Sequence, residues 1–262
     1  IKKEIIIIDK NITLKITNGK YVEMNYPQYF APEIKVFINE KWFPKYDKDK
    51  ENTMENSWIE EINKEIPENF YEKRKNGEND NYICELIRDD LVKEFIIYVT
   101  KNNYSLDSKI VPSIYETNQF LIQNKINESS NHQLYNPTLI EYAAFYGSIQ
   151  IFQYLRLNNV ELTESLWYYA IHGNNPEIIH LLEENHVQIN EKNVFIESIK
   201  CHHNDIAYYF QNTILSNNEE NSYYSYKNIL KYYNFSFISC DLIDQKFFFY
   251  LCKYDYYQLV NF

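Results

Sequence analysis

Between Pro137 and Thr213 the apolar positions fall into short bursts divided by polar breaks, and the bursts return at a fixed interval. "TLIEYAAFYGSIQIFQYLRLNNVEL" lays over "SLWYYAIHGNNPEIIHLLEENHVQI" so that Ala143 meets Ala170, Ile151 meets Ile178, Phe152 meets Ile179, Leu155 meets Leu182 and Val160 meets Val187, each 27 residues on. A third copy, "FIESIKCHHNDIAYYFQNT", sets Ser198 on Ala170, Ile206 on Ile178 and Phe210 on Leu182, 28 residues on. Two looser copies flank these. Upstream, "ICELIRDDLVKEFIIYVTKNN" carries Phe95 at the Phe152 place; at the C-terminus, "FYLCKYDYYQLVNF" carries Leu251 at the Ala143 place and Val260 at the Phe152 place. Self-similarity at one period marks a supersecondary unit that buries its apolar face only by stacking on its neighbours.

Each copy reads as two helices. Thr138 or Ser165 stands before the first and can cap it by accepting a backbone N–H. The first helix carries a small residue (Ala143, Ala170 or Ser198) where a neighbouring backbone must come close. A break follows at Gly147, at Asn174-Asn175, or at His202-His203-Asn204. The second helix repeats its apolar residues at i, i+1 and i+4, as in Ile151, Phe152 and Leu155. Asn158-Asn159 and Asn185-His186 end it with residues that tolerate the left-handed conformation.

Residues 1–68 lack the repeat. "ITLKITNGKYVEM" alternates Ile12, Leu14 and Ile16 ahead of Asn18-Gly19, which predicts a hairpin. Pro27, Pro32 and Pro44 cut the next stretch into short elements. Residues 58–74 predict helix interrupted at Pro67, and loops are expected near residues 46–57, 124–136 and 211–228. The expected division is therefore an irregular N-terminal segment, 1–68, and a helical repeat domain, 69–262. The chain begins at Ile1 rather than Met, so we expect a piece of a longer protein.

Composition narrows the function. Only four glycines occur, which nearly excludes Gly-rich phosphate loops, and the formal net charge is −11 with a pI of about 5.1. Duplex nucleic acid and anionic membrane both demand clustered Lys and Arg, so neither is expected as partner. The longest basic run, Lys73-Arg74-Lys75 between Glu72 and Glu78, reads as a solvated face. The usage of Ile, Asn, Lys, Tyr and Phe follows AT-rich codons, which deprives the asparagines of functional weight. Cys84, Cys201, Cys240 and Cys252 show no C-x-x-C spacing and read as reduced thiols; with no signal-like run at "IKKEIIIIDK", a cytoplasmic protein is expected.

Candidate chemistry is sparse. His180 and His186 are six apart, on nearly opposite sides of a helix, whereas a zincin helix needs i and i+4. "CHHND" gathers Cys201, His202, His203 and Asp205 in one loop, but adjacent histidines seldom converge on one ion and nothing completes a tetrahedron. Glu183-Glu184 lies in a solvated last turn. No catalytic residue, cofactor or metal is expected. A hydrolase using Cys201 and a neighbouring His is the weakest alternative.

The copy at Thr138 resembles an ankyrin repeat, T-P-L-H-x-A-A-x-x-G followed by an apolar second helix and G-A. Thr138, Ala143, Ala144 and Gly147 match, while Leu139, Glu141 and Asn159-Val160 depart from it. "ETNQFLI", "SLWYYAIHGNNPEIIHLLEENHV" and "SIKCHHNDIA" are similar to a divergent ankyrin-like family expanded in AT-rich parasitic protists, over residues 69–262. The resemblance implies an all-α solenoid of helix-turn-helix repeats. Ankyrin repeats run about 33 residues, so a period of 27 or 28 implies shortened or absent β-hairpin fingers. It also implies that the two positions after the Ala-Ala pair face a concave groove: Phe145 and Tyr146, His172 and Gly173, Lys200 and Cys201. The function expected is a non-enzymatic, monomeric scaffold that binds a protein partner through Phe145, Tyr146, His172 and Lys200. The alternative is a regulatory or structural arm of a larger enzyme.

Overall fold

The computed structural model describes residues 26–38, 66–122, 136–213, 227–238 and 245–256. The expected hairpin at residues 12–24, the loop at 46–57 and Val260 lie outside them. The described fold is mostly α-helical, and its sole pairing of strand type among the described residues is an isolated bridge between Lys109 and Thr138. Contacts divide the chain into two units, residues 1–82 with 111–136, and residues 83–110 with 137–262.

The first unit holds α1 (Tyr26–Tyr29), α2 (Ala31–Ile38), α3 (Phe70–Asn76) and a short α6 (Gln119–Ile122). Here the basic run departs from the expected solvated face. Arg74 donates to both carboxylate oxygens of Glu33, at 2.9 and 2.8 Å, and to the Tyr29 carbonyl at 3.1 Å. Its guanidinium also lies 5.3 to 5.6 Å from the ring centroids of Tyr71, Phe70 and Tyr29. Lys73 pairs with Asp80 at 2.8 Å, and Asp80 accepts from Ser113 at 2.7 Å. The cations are consumed in packing α3, because a planar fork between aromatic rings and a carboxylate is satisfied on every side. Lys75 alone of the three is exposed.

The second unit is built from helix pairs. α4 (Tyr82–Arg88) precedes α5 (Val92–Lys101), α7 (Leu139–Tyr146) precedes α8 (Ile149–Leu157), α9 (Leu166–Gly173) precedes α10 (Pro176–Glu184), and α11 (Glu191–Lys200) precedes α12 (Asn204–Thr213). First helices α7, α9 and α11 pack on one another in turn, and so do second helices α5, α8 and α10. The matched residues are the core. Ala143, Ala170 and Ser198 are fully buried, as are Ile151, Ile178, Phe152, Phe95, Leu155, Leu182 and Phe210. A buried α13 face (Phe247, Tyr250, Leu251) packs with Leu230 at the end of the chain, α13 being Gln245–Lys253.

The breaks share one backbone solution. Asp90, Gly147, Asn174 and His202 all have positive φ, between 49° and 68°. After three of them the next amide returns to the carbonyl five residues back, Leu91 to Leu86, Ser148 to Ala143 and His203 to Ser198, while Asn174 sends its own amide to the Ala170 and Ile171 carbonyls. This is the Schellman closure of a helix end. It recurs where the second helices stop, with Asn103, Asn159 and His186 left-handed and Tyr104, Val160 and Val187 closing the turn. The same closure reveals a copy that the pattern of apolar residues conceals. Asn234 N–H returns to the Ile229 carbonyl, Tyr233 is left-handed, and Phe237 is buried at the place of Ile151. Residues 227–231 are helical ahead of this break, and a 3₁₀ turn, Phe235–Phe237, stands where the second helix of the other copies begins.

Side chains then bind one pair to the next. Ser148 Oγ donates to the Ile87 carbonyl at 2.5 Å, Asn175 Nδ2 to the Gly147 carbonyl at 2.9 Å, and Asn234 Nδ2 to the Ile199 carbonyl at 2.9 Å. Asp90 receives the Gln150 and Ile151 amides at 3.0 Å, capping α8 from the preceding pair. Thr138 and Glu141 form a reciprocal capping box on α7. Ser165 departs from its expected role: its backbone is already helical and makes no cap bond, and its hydroxyl donates instead to the buried Glu141 at 2.5 Å.

Gly173 marks the closest approach. A Cβ there would lie 2.1 Å from the Ala144 carbonyl oxygen and 2.9 Å from the Gly147 nitrogen, both backbone atoms that cannot swing aside. Gly173→Ala should therefore cost about 3 kcal/mol, read as a lowered denaturant midpoint, with the loss of α-helical signal still cooperative. Asn234→Ala removes the buried donor shared by the Ile199 carbonyl and Asn204 Oδ1 and should cost about 1–2 kcal/mol in the same assay. A change in either variant below about 0.5 kcal/mol, the usual range for uninvolved surface positions, would disprove the packing role.

Candidate functional site

Helices α4, α7, α9 and α11 end in equivalent positions, Arg88, Phe145, His172 and Lys200. The repeated closure fixes these ends, and their side chains form a connected row. Arg88 Nη1 donates to the Tyr142 hydroxyl at 3.1 Å, and its guanidinium lies 6.0 Å from the centroid of Tyr146. The Tyr142 and Tyr146 rings are 4.8 Å apart, and Phe145 meets Tyr146 edge-on at 5.0 Å. Phe145 stacks on the His172 imidazole at 5.3 Å with 24° between the planes. His172 Nε2 lies 2.9 Å from Glu197 Oε1, and Lys200 Nζ donates to that same oxygen at 2.9 Å. The four expected partner-binding residues thus share one row. Phe145, Tyr146 and His172 are half-buried and Lys200 is exposed.

Of the neighbouring positions, Gly173 is taken up by the backbone approach of α7, as described above. Cys201 turns toward the row, its Sγ 3.5 Å from His172 Nε2 and 3.7 Å from Nδ1. The rest of "CHHND" does not join it. The exposed His202 directs Nε2 to the Tyr232 carbonyl at 2.9 Å, His203 hydrogen-bonds to the His172 backbone, and Asp205 is exposed. Glu183 accepts from Tyr209 at 2.5 Å and faces His180 Nδ1 at 3.1 Å, a surface contact between α10 and α12.

Charges in the row are set by Glu197. Burial works to raise its carboxyl, but hydrogen bonds from His172 and Lys200 prevail and hold it below its ordinary range. Lys200 answers in kind: burial works against its charge, and the Glu197 bond overrides this to raise it. Tyr142 is pushed up mainly by burial. Burial, followed by the Glu197 charge, pushes the Cys201 thiol up to about 12 from an ordinary 9.0. Glu197 was not legible as a site residue, although it stands one helical turn before Cys201. The 28-residue offset that pairs Lys200 with His172 held the signal, since it brings the last turns of α9 and α11 side by side.

Cys201 beside His172 has the residue types of a nucleophile and base but lacks the electrostatics. An activated thiol needs its thiolate favoured by neighbouring positive charge, and here burial and a carboxylate oppose it. At neutral pH fewer thiolates form at Cys201 than on a free peptide. Alkylation of Cys201 should run at least about tenfold slower than that of a free peptide thiol, followed by mass spectrometry of the cysteine peptides, with the exposed Cys252 as the fast internal control. Faster labelling at Cys201 would restore a catalytic thiol. Among the described residues no helix is long and apolar enough to cross a membrane. No family model, curated protein or solved structure matches this chain.

Proposed function

We propose that the chain is a non-enzymatic scaffold whose helix pairs stack as an ankyrin-like solenoid, with the row from Arg88 to Lys200 on its concave face as the surface that receives a protein partner. The observation that supports this best is the row itself. Aromatic and imidazole rings are packed edge-on and stacked along consecutive helix ends, flanked by Arg88 at one end and Lys200 at the other. Rigid aromatics lose little entropy on binding, and Trp, Tyr and Arg dominate interface energetics. A cation at each end would favour an acidic group on the partner at either side of an apolar contact.

Affinity capture compares wild type with Phe145→Ala/Tyr146→Ala and with Lys200→Glu. A partner held by wild type should lose at least about 2 kcal/mol of affinity in the aromatic variant, about thirtyfold in Kd, and less in Lys200→Glu. Circular dichroism must show unchanged helicity for the comparison to stand. A partner retained by both folded variants places binding on another face and overturns the proposal.

A further inference from the structure

We propose that His172, Glu197 and Cys201 form a binding site for a thiophilic divalent cation, zinc(II) foremost. Their candidate ligand atoms, an imidazole nitrogen, a carboxylate oxygen and a thiol sulfur, all lie within 4.8 Å of one another. A tetrahedral centre with bonds of about 2.0–2.3 Å separates its ligands by about 3.3–3.8 Å, and Nε2 stands 2.9 Å from Glu197 Oε1 and 3.5 Å from Cys201 Sγ. The third separation, Glu197 carboxylate to Cys201 Sγ, is within 4.8 Å, so side-chain rotations of up to about an ångström bring the three to bonding geometry.

The scaffold beneath the ligands is firm. Glu197 and Cys201 are one turn apart on α11, the Cys201 amide returning to the Glu197 carbonyl at 2.9 Å. His172 is in the last turn of α9, its imidazole held flat against Phe145 and its backbone bonded by His203. Such neighbours fix ring orientation as outer-shell groups do at metal centres. The ligand set chooses the metal: one sulfur, one nitrogen and one oxygen suit zinc, whereas magnesium and calcium seek oxygen alone.

Without metal, a cation already occupies this place, for Lys200 Nζ sits on the same Glu197 oxygen that a metal would take. Lys200 has 42% of its side chain exposed and a flexible stem, so it can withdraw to solvent when a metal arrives. Binding forms one metal–sulfur bond and expels the Cys201 thiol proton to solvent. The Nε2 proton that His172 donates to Glu197 leaves as Nε2 coordinates and Nδ1 takes one up, a change of tautomer with no net proton, and no electron is transferred. Three protein ligands leave the fourth position to water or to a donor from outside. This inference is independent of whether the row binds a protein.

Cobalt(II) is the probe, added alone to the reduced full chain. A thiolate-to-cobalt charge-transfer band in the near ultraviolet is expected, with the intense visible bands of four-coordinate cobalt, abolished by equimolar zinc. Cys201→Ser should lose the charge-transfer band and Cys252→Ser should keep it. Lys200→Met removes the competing ammonium at an exposed position and should bind cobalt about tenfold more tightly. It serves as the second test if Cys201→Ser does not fold. Absence of the band in wild type, its persistence in folded Cys201→Ser, or cobalt affinity in Lys200→Met no greater than in wild type overturns the site.

Discussion

The residue after a left-handed break can tie its own helix pair to the one before. Ser148, Asn175 and Asn234 occupy this place, and each side chain reaches a carbonyl at the end of the preceding first helix. Helix C-termini leave carbonyls without intrahelical partners, and burying one unpaired costs about 1–3 kcal/mol. The breaks therefore do two things at once. The left-handed residue and the returning amide close a helix on itself, while the next side chain satisfies what its neighbour left open. A pair removed from the stack would keep the first and lose the second, which is why short helices of seven to ten residues, marginal in isolation, persist here.

The row of functional interest follows from that constraint. Because each first helix stops in the same conformation, the residue two before the break lands at the same place in successive pairs: Arg88 before Asp90 at one end, Lys200 before His202 at the other, and Phe145 and His172 between them. Nothing in the backbone closure requires aromatics, an imidazole or charges at these positions. The closure uses amides and carbonyls, and the core uses Ala143, Ala170, Ser198 and the isoleucines. The ends of the first helices are thus left for side chains of other chemistry, and they carry a run of Arg, Phe, Tyr, His and Lys.

Much of this was legible in the chain of letters. The helix pairs stand where the recurrence of Ala143, Ala170 and Ser198 sets them, and Phe95 is buried as Phe152 is. What escaped did so for physical reasons. The copy at Ile229 follows Ser198 by 31 residues rather than 27 or 28, and a 3₁₀ turn stands where its second helix would begin, so an apolar template finds little to match; the hydrogen bonds find it at once. Ser165 has the side chain of a cap, but the backbone is already helical there and Glu141 offers a stronger acceptor. Arg74 sits in a run of charge that reads as solvated, yet Glu33, 41 residues earlier, meets it in space. Single-sequence patterns report on a residue's neighbours along the chain, and each of these features depends on a neighbour across space.

Glu197 shows how one such spatial neighbour governs the character of a site. Its carboxylate draws in Lys200 and His172 and keeps its own charge despite burial. The same charge, added to burial, holds the Cys201 proton in place. A thiol beside an imidazole would be reactive if the nearest full charge were positive. Here burial and the Glu197 carboxylate outweigh the Lys200 charge at sulfur, so the cluster is poised to exchange one cation for another rather than to attack an electrophile. Replacing Lys200 with a divalent ion concentrates more positive charge on the same oxygen and reverses the balance at sulfur, because coordination stabilises the thiolate that Glu197 alone disfavours.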